Sequence, residues 1–176
     1  MQTLMNTEKE LTRMQYEVID NYLPQEEFEV IRNTMMGQNF PWFYSSYVTF
    51  EGKVNDDNSM YFTHTFYKDS SVNSNFFELV LPLTSKLNAK AIMRVKGNMY
   101  PNVGSSLNNE PHVDYDFEHK GAIFYINTNN GPTTLEDGTK IDSVANRILL
   151  FDPSKEHYST HCTDEKVRVN ININYF

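Results

Sequence analysis

The apolar positions along the chain change period about half-way. Before residue 90, two stretches repeat at helical spacing. Leu23-Pro24-Gln25-Glu26-Glu27 carries the proline and early acidic residues that open a helix, and Phe28, Ile31 and Met35 continue it on one face until Gly37 stops it. Phe76, Leu79, Val80, Leu83 and Leu87 mark a second helical face through residues 74–88, where Pro82 is expected to kink or divide the helix. Tyr16–Asp20 alternates like a short strand ahead of the first helix. Both helices are apolar on one side only and need a sheet to cover that side.

After Lys90 the period falls to that of strands. Residues 91–100, 111–116, 122–127, 147–151 and 167–176 read as β segments, separated by turn-forming runs such as Asn129-Asn130-Gly131-Pro132 and Glu136-Asp137-Gly138. This is an antiparallel layout without a βαβ rhythm. The last segment is the most regular, with Val167, Val169, Ile171, Ile173 and Tyr175 alternating against Arg168, Asn170, Asn172 and Asn174. One face is apolar, and the polar face meets either solvent or a polar cavity.

Composition narrows the picture. With 12 Phe, 11 Tyr and 39 % hydrophobic residues among 176, the chain has ample capacity for a core and is read as one domain. Residues 1–15 read as a loose N-terminal arm, 16–90 as a helical support region and 91–176 as the β-core that carries the chemistry. Lys and Arg number 15 against 23 Asp and Glu, a formal charge of −8, which argues against a general nucleic-acid-binding face. No apolar run approaches the length of a membrane span. The single cysteine, Cys162, and an N-terminus without a basic and apolar leader point to a cytoplasmic setting.

His112-Val113-Asp114 sets an imidazole and a carboxylate two positions apart, which in extended backbone puts both on one face and within reach of one metal ion. A third ligand would come from His157 or His161. Two histidines and one carboxylate, with coordination positions left open, form the ligand set of non-haem iron(II) oxygenases. A zinc site on His157, His161 and Cys162 is the rival. Against it, Tyr158, Ser159 and Thr160 are poor helix formers, and a strand follows directly. Arg168, on the polar face of the last strand, offers a planar fork to the carboxylate of a small co-substrate.

With these residues in place, the chain from about Ile92 to Phe176 resembles the 2-oxoglutarate- and iron(II)-dependent dioxygenases, in particular the small prolyl-4-hydroxylase-like group, phage-encoded members included. The resemblance runs through Met99-Tyr100-Pro101, His112-Val113-Asp114-Tyr115, Phe124-Tyr125-Ile126-Asn127, Asn146–Asp152 and His157–Arg168. It implies a mainly β fold, a double-stranded β-helix or jelly-roll with N-terminal helices packed on the larger sheet. The apolar face of the last strand would then lie under the helices, and the Arg and Asn row would face the cavity. It also implies Fe(II) held by His112, Asp114 and His157, His157 being preferred over His161 because the segment from Glu156 to Arg168 is similar in register. 2-Oxoglutarate would be held by Arg168 and the Tyr125 hydroxyl, with Tyr100 near its keto-acid end. O2 would be consumed with release of succinate and CO2. The expected substrate is a prolyl residue of a peptide, with a free amino acid or small metabolite as the alternative. A non-catalytic jelly-roll module and a cupin-like metal enzyme that does not use 2-oxoglutarate are the competing readings.

The remaining histidines and the cysteine are assigned ordinary roles: His64 as a strand residue, His119 as a solvated turn residue, Cys162 as inert. Part of the aromatic run Phe40–Tyr44 with Tyr47 and Phe50 is expected to be core, and aromatic side chains from Trp42–Phe50 or Tyr61–Tyr67 are expected to present a substrate groove. The polar stretches 52–59 and 104–110 are expected to act as lids.

Overall fold

The computed structural model describes residues 16–45 and 60–176. In chain order it contains β1 (Tyr16–Ile19), α1 (Gln25–Met35), β2 (Phe43–Ser45), β3 (Tyr61–Lys68), β4 (Ser71–Val72), a 3-10 turn (Phe77–Val80), α2 (Leu81–Lys86), β5 (Ile92–Pro101), β6 (Lys120–Tyr125), β7 (Asn129–Leu135), β8 (Lys140–Ser143), β9 (Ile148–Phe151), β10 (His157–Ser159) and β11 (Val167–Tyr175). The strands form an eight-stranded sheet ordered β1-β9-β6-β11-β5-β3-β2, with β4 on β3, and a three-stranded sheet ordered β10-β7-β8. Their pairings are antiparallel. Two antiparallel sheets facing one another make the jelly-roll.

Alternation decides which residues face where. β11 lies between β5 and β6, so Val169, Ile171 and Ile173 on one face join Phe124, Val95 and the α1 residues Phe28, Ile31 and Met35 in the main core. Burying each aliphatic side chain there contributes about 1.5–3 kcal/mol. Gly97 on β5 lets this layer close, because a Cβ there would stand 3.0 Å from Met35 Cε and 3.3 Å from the Trp42 ring. A second, smaller core of Ile123, Tyr125, Leu149 and Phe151 with Ile141 fills the space between the two sheets.

α1 forms where its sequence predicts, opened at Pro24 with Glu26 and Glu27 in its first turn. Residues 74–88 do not make one helix. Pro82 sits in the first turn of α2, where its missing N–H costs nothing, and the chain before it is a 3-10 turn. The region 16–90 also does more than support: β1 closes one edge of the large sheet, and β3 and β2 extend the other. The Asn129–Pro132 run, expected as a turn, opens β7 instead. Its irregularity is absorbed by a register shift before Thr133 and by Asn129 Oδ1, which accepts from Gly131 N at 3.0 Å. Among the described residues no helix is long and apolar enough to cross a membrane. The expected arm 1–15, Tyr47, Phe50 and the 52–59 lid lie outside the described residues.

Candidate active site

His112 and Asp114 are not on a regular strand, as the sequence pattern suggested. They lie in an extended segment that joins the small sheet by isolated bridges. His112 N donates to His157 O at 3.1 Å, His157 N donates to His112 O at 3.0 Å, and Asn108 bridges Thr160. Asp114 N is anchored on Pro153 O at 2.9 Å. Proline at 111 removes one donor, which limits the segment to these bridges. The consequence is that His112 and His157 lie side by side, with ring centroids 4.7 Å apart.

Both imidazoles are turned by their own backbone neighbourhoods. His112 Nδ1 contacts Glu110 O at 3.2 Å, and His157 Nδ1 contacts Lys155 O at 3.0 Å. A carbonyl only accepts, so Nδ1 carries the proton in each ring and the Nε2 lone pair is free for a metal. One potential ligand atom from each of His112, Asp114 and His157 lies within 4.8 Å of the others. Burial, then the neighbouring His157, pushes His112 down to about 4, so it is neutral and able to ligate at neutral pH.

The carboxylate is held from behind. Asp114 Oδ1 accepts from Arg94 Nη2 at 2.9 Å, and Oδ2 accepts from Asn172 Nδ2 at 3.1 Å and Asn174 Nδ2 at 2.9 Å. Asn174 completes the network: its Oδ1 accepts from Arg94 Nε at 3.0 Å, and its amide also contacts His119 Nε2 at 3.1 Å. Burial by itself would raise the Asp114 pKa, but Arg94, the two imidazoles and the Asn174 bond outweigh it and hold the carboxyl below its ordinary range. Oδ1 takes only one hydrogen bond and lies 3.9 Å from His112 Nε2, so it keeps a lone pair on the side of the histidines. Two imidazole nitrogens and one anionic oxygen fit Fe(II) or a similar divalent ion.

Arg168, on the same face of β11 as Asn170 and Asn172, is fully buried. Its Nε donates to Gly131 O at 2.8 Å and Ser143 Oγ at 3.1 Å, and its Nη2 to Thr133 Oγ1 at 2.9 Å. Nη1 is buried and has no partner among the described residues. A buried cationic donor without an acceptor is costly, and an anionic ligand would satisfy it. Tyr125 Oη also donates to Thr133 Oγ1, at 2.8 Å, so its hydroxyl shares an acceptor with Arg168, and its ring centroid lies 5.9 Å from Arg168 Cζ. Tyr100 lies under the guanidinium, its ring centroid 5.3 Å from Arg168 Cζ.

His112, Asp114, His157 and Tyr100 line one cavity together with Asn170 and Asn172, so the last strand's polar face is a lumen and not a solvated surface. His161 stays apart from the ligand group: its Nδ1 is 2.8 Å from Pro101 O. The zinc reading fails with it, since Cys162 Sγ points to Glu165 O at 3.5 Å. His119 is buried, contrary to its expected place in solvent, with Nδ1 on Phe117 O at 2.8 Å and Nε2 on Asn174. His64 is a strand residue bonded at both ring nitrogens, to Pro41 O at 2.7 Å and Ser74 Oγ at 2.6 Å. Phe40 and Trp42 belong to the main core, while Phe43 and Tyr44 on β2 are exposed. Within residues 104–110, Asn109 N donates to Ser159 O of β10 at 2.9 Å and His161 N, just beyond β10, donates to Leu107 O at 2.8 Å, so the end of this segment adds an edge to the small sheet.

Arg94, Lys96 and Asn98 were missed by the sequence reading, although they alternate with Val95, Gly97 and Met99 on β5 as the polar row does on β11. The signal was present; a strand with cations on one face simply resembles an ordinary half-exposed strand. Thr133 and Ser143, which orient Arg168, carry no sequence signal of their own.

No protein-family model and no curated protein matches the chain. Solved structures match it in fold. A prolyl hydroxylase from Trichoplax adhaerens, in complex with a hypoxia inducible factor peptide fragment, is 14 % identical with a TM-score of 0.69, over 100 % of this chain and 94 % of the other. A 2OG-Fe(II) oxygenase family oxidoreductase from Burkholderia pseudomallei is 11 % identical with a TM-score of 0.70, over 97 % and 89 % of the two chains. The non-heme α-ketoglutarate dependent epimerase SnoN from nogalamycin biosynthesis is 11 % identical with a TM-score of 0.63, over 98 % and 80 %. At these identities the likeness establishes a shared fold. Function has to be argued from the site.

Proposed function

We propose that this protein is an iron(II)- and 2-oxoglutarate-dependent oxygenase that hydroxylates its substrate. One observation carries the reading: a two-histidine, one-carboxylate group with its donor atoms within 4.8 Å lines a cavity with Tyr100, and against the Tyr100 ring lies a buried arginine whose Nη1 has no partner among the described residues. A non-catalytic jelly-roll has no use for the pair, and a metal enzyme without a dicarboxylate has no use for the arginine. The neighbours in fold support the same reading, since an oxygenase of the 2OG-Fe(II) family and a prolyl hydroxylase are among them.

His112, Asp114 and His157 would hold the iron, which when loaded supplies O2 activation coupled to conversion of 2-oxoglutarate to succinate and CO2. Arg168 would hold the distal carboxylate of 2-oxoglutarate through Nη1, in place of the partner it lacks. That carboxylate would compete with Thr133 for the Tyr125 hydroxyl, and burial keeps the Tyr125 and Tyr100 phenols protonated as donors. Arg94 keeps Asp114 ionised and holds its carboxylate beside the two histidines. The peptide in the Trichoplax complex supports a peptidyl substrate, with a prolyl residue as the expected target.

The test is calorimetry of 2-oxoglutarate against Mn(II)-loaded protein, with succinate release measured under Fe(II) and O2. Wild type should bind. Arg168→Lys keeps the charge but loses the fork and should bind more weakly, and Arg168→Ala should not bind measurably. Equal affinity in wild type and Arg168→Ala would remove the support for this reading.

A further inference from the structure

Lys96 stands out among the cations of the lumen. It is on β5, paired across strands with Asn172 of β11 and Thr65 of β3, and so shares the face that carries Asn98 and Tyr100. Arg94 is engaged by Asp114 and Asn174, and Arg168 is engaged on Nε and Nη2. Lys96 has no carboxylate partner among the described residues. Its one hydrogen bond is a long one, from Nζ to Tyr61 Oη at 3.5 Å.

The two cations sit at opposite ends of an aromatic stack. Arg168 Cζ is 5.3 Å from the Tyr100 ring centroid, Tyr100 and Tyr61 are stacked at 5.3 Å and 15°, and Lys96 Nζ lies 5.8 Å from the Tyr61 centroid. Arg168 is fully buried, whereas Lys96 is half-buried and lines the cavity. Under the proposed function, 2-oxoglutarate carries two negative charges and iron two positive ones. The protein groups around them then leave positive charge in excess, since Arg94, Lys96 and Arg168 face only Asp114. In a chain whose net charge is −8, such a concentration of cations, with Lys96 lining the cavity and Arg94 and Arg168 against its lining residues Asp114 and Tyr100, favours an anionic occupant. Burial, followed by the nearby Arg94, pushes the Lys96 ammonium down to about 7, and an anion bound beside it would favour its charged form.

Resting on the oxygenase reading, we propose that Lys96 determines substrate specificity by holding a carboxylate of the substrate, so that the enzyme takes a carboxylate-bearing molecule into the lumen. The polar lining of Asn98, Asn170 and Asn172 suits such a substrate and does not suit an uncharged apolar one. The carboxylate belongs either to a free amino acid or to a peptide that presents an acidic side chain or its C-terminus.

The experiment uses the full chain loaded with Mn(II) and 2-oxoglutarate, titrated in three arms. These are the twenty free L-amino acids, the same residues as N-acetyl amides, and proline-containing peptides with and without an aspartate, glutamate or free C-terminus. Each arm is repeated with Lys96→Met and Lys96→Arg, and succinate release under Fe(II) is followed alongside. The expected result is binding in a carboxylate-bearing arm that falls about tenfold or more in Lys96→Met, as for loss of a charged hydrogen bond, and recovers most of the way in Lys96→Arg. Whether free amino acids or acidic peptides bind identifies the source of the carboxylate. 2-Oxoglutarate affinity in Lys96→Met should stay within about twofold of wild type, because Lys96 is not its anchor. Three results overturn the proposal: amides binding as well as acids, no carboxylate binding better to wild type than to Lys96→Met, or a loss of 2-oxoglutarate affinity in Lys96→Met as large as that in Arg168→Ala. Failure of 2-oxoglutarate to bind wild type is a separate outcome that overturns the oxygenase reading itself.

Discussion

Replacing Arg94 by Met tests the support behind the candidate metal ligand. Arg94 and Asp114 are both buried, the guanidinium donating to Oδ1 at 2.9 Å. Stranding one member of a buried ion pair costs about 3–5 kcal/mol, far more than the pair's net worth, because the remaining charge keeps its desolvation penalty. Asn172 and Asn174 still donate to Oδ2, so the loss should fall within that range and not above it. For a domain of this size it corresponds to a melting temperature about 6–20 °C lower. Urea unfolding of metal-free protein in chelator, followed by circular dichroism, measures it. The double variant Arg94→Met, Asp114→Asn should regain most of the loss, since no charge is left stranded. Mn(II) should shrink the Arg94→Met deficit, a cation then standing beside the carboxylate again. The pH dependence has a definite sign. Asp114 titrates below its unfolded value in the folded state, so its contribution is complete above about pH 4 and is lost as pH falls through the depressed folded pKa. Without Arg94 the folded pKa rises and the loss begins at higher pH. A deficit under about 1 kcal/mol, typical of an exposed pair, or an equal deficit in the double variant, would refute the reasoning.

His157→Ala should abolish binding of Mn(II) measured by calorimetry, while His161→Ala, whose imidazole rests on Pro101 O, should bind it as wild type does. Gly131→Ala should weaken 2-oxoglutarate binding, because a Cβ there would lie 2.5 Å from Thr160 O and 3.0 Å from Arg168 Cδ, and the guanidinium would have to move. Tyr125→Phe should cost about 1 kcal/mol in 2-oxoglutarate affinity, the value of one hydrogen bond, read by the same titration. Asn146→Ala should destabilise the fold by about 1–3 kcal/mol in urea unfolding. Its side chain both accepts from Leu23 N at 2.9 Å and donates to Leu23 O at 2.8 Å, and its backbone has φ +61°, which alanine tolerates poorly.

The sequence by itself determined what depends on short-range periodicity. The alternation of Val169, Ile171 and Ile173 with Asn170, Asn172 and Asn174 specified a two-faced strand. The i, i+3, i+7 spacing of Phe28, Ile31 and Met35, opened by Pro24, specified α1. The two-residue step from His112 to Asp114 specified two side chains on one side as candidate ligands, and the resemblance carried by the segment from Glu156 to Arg168 favoured His157 over His161 as the third candidate. Only the tertiary structure decided whether the polar row of β11 met water or a lumen, because a strand's pattern says which residues share a face and nothing about what that face meets. It also decided that residues 111–116 are held by isolated bridges, and that the Asn129–Pro132 run pairs as β7. Both follow from long-range partners, β10 and β8, that local propensity cannot anticipate. The same holds for Arg94 behind Asp114, Thr133 and Ser143 around Arg168, and Lys96 at the end of the tyrosine stack. Each acquires its role from a neighbour distant in sequence, and a charge's energy is set by its surroundings and not by its place in the chain.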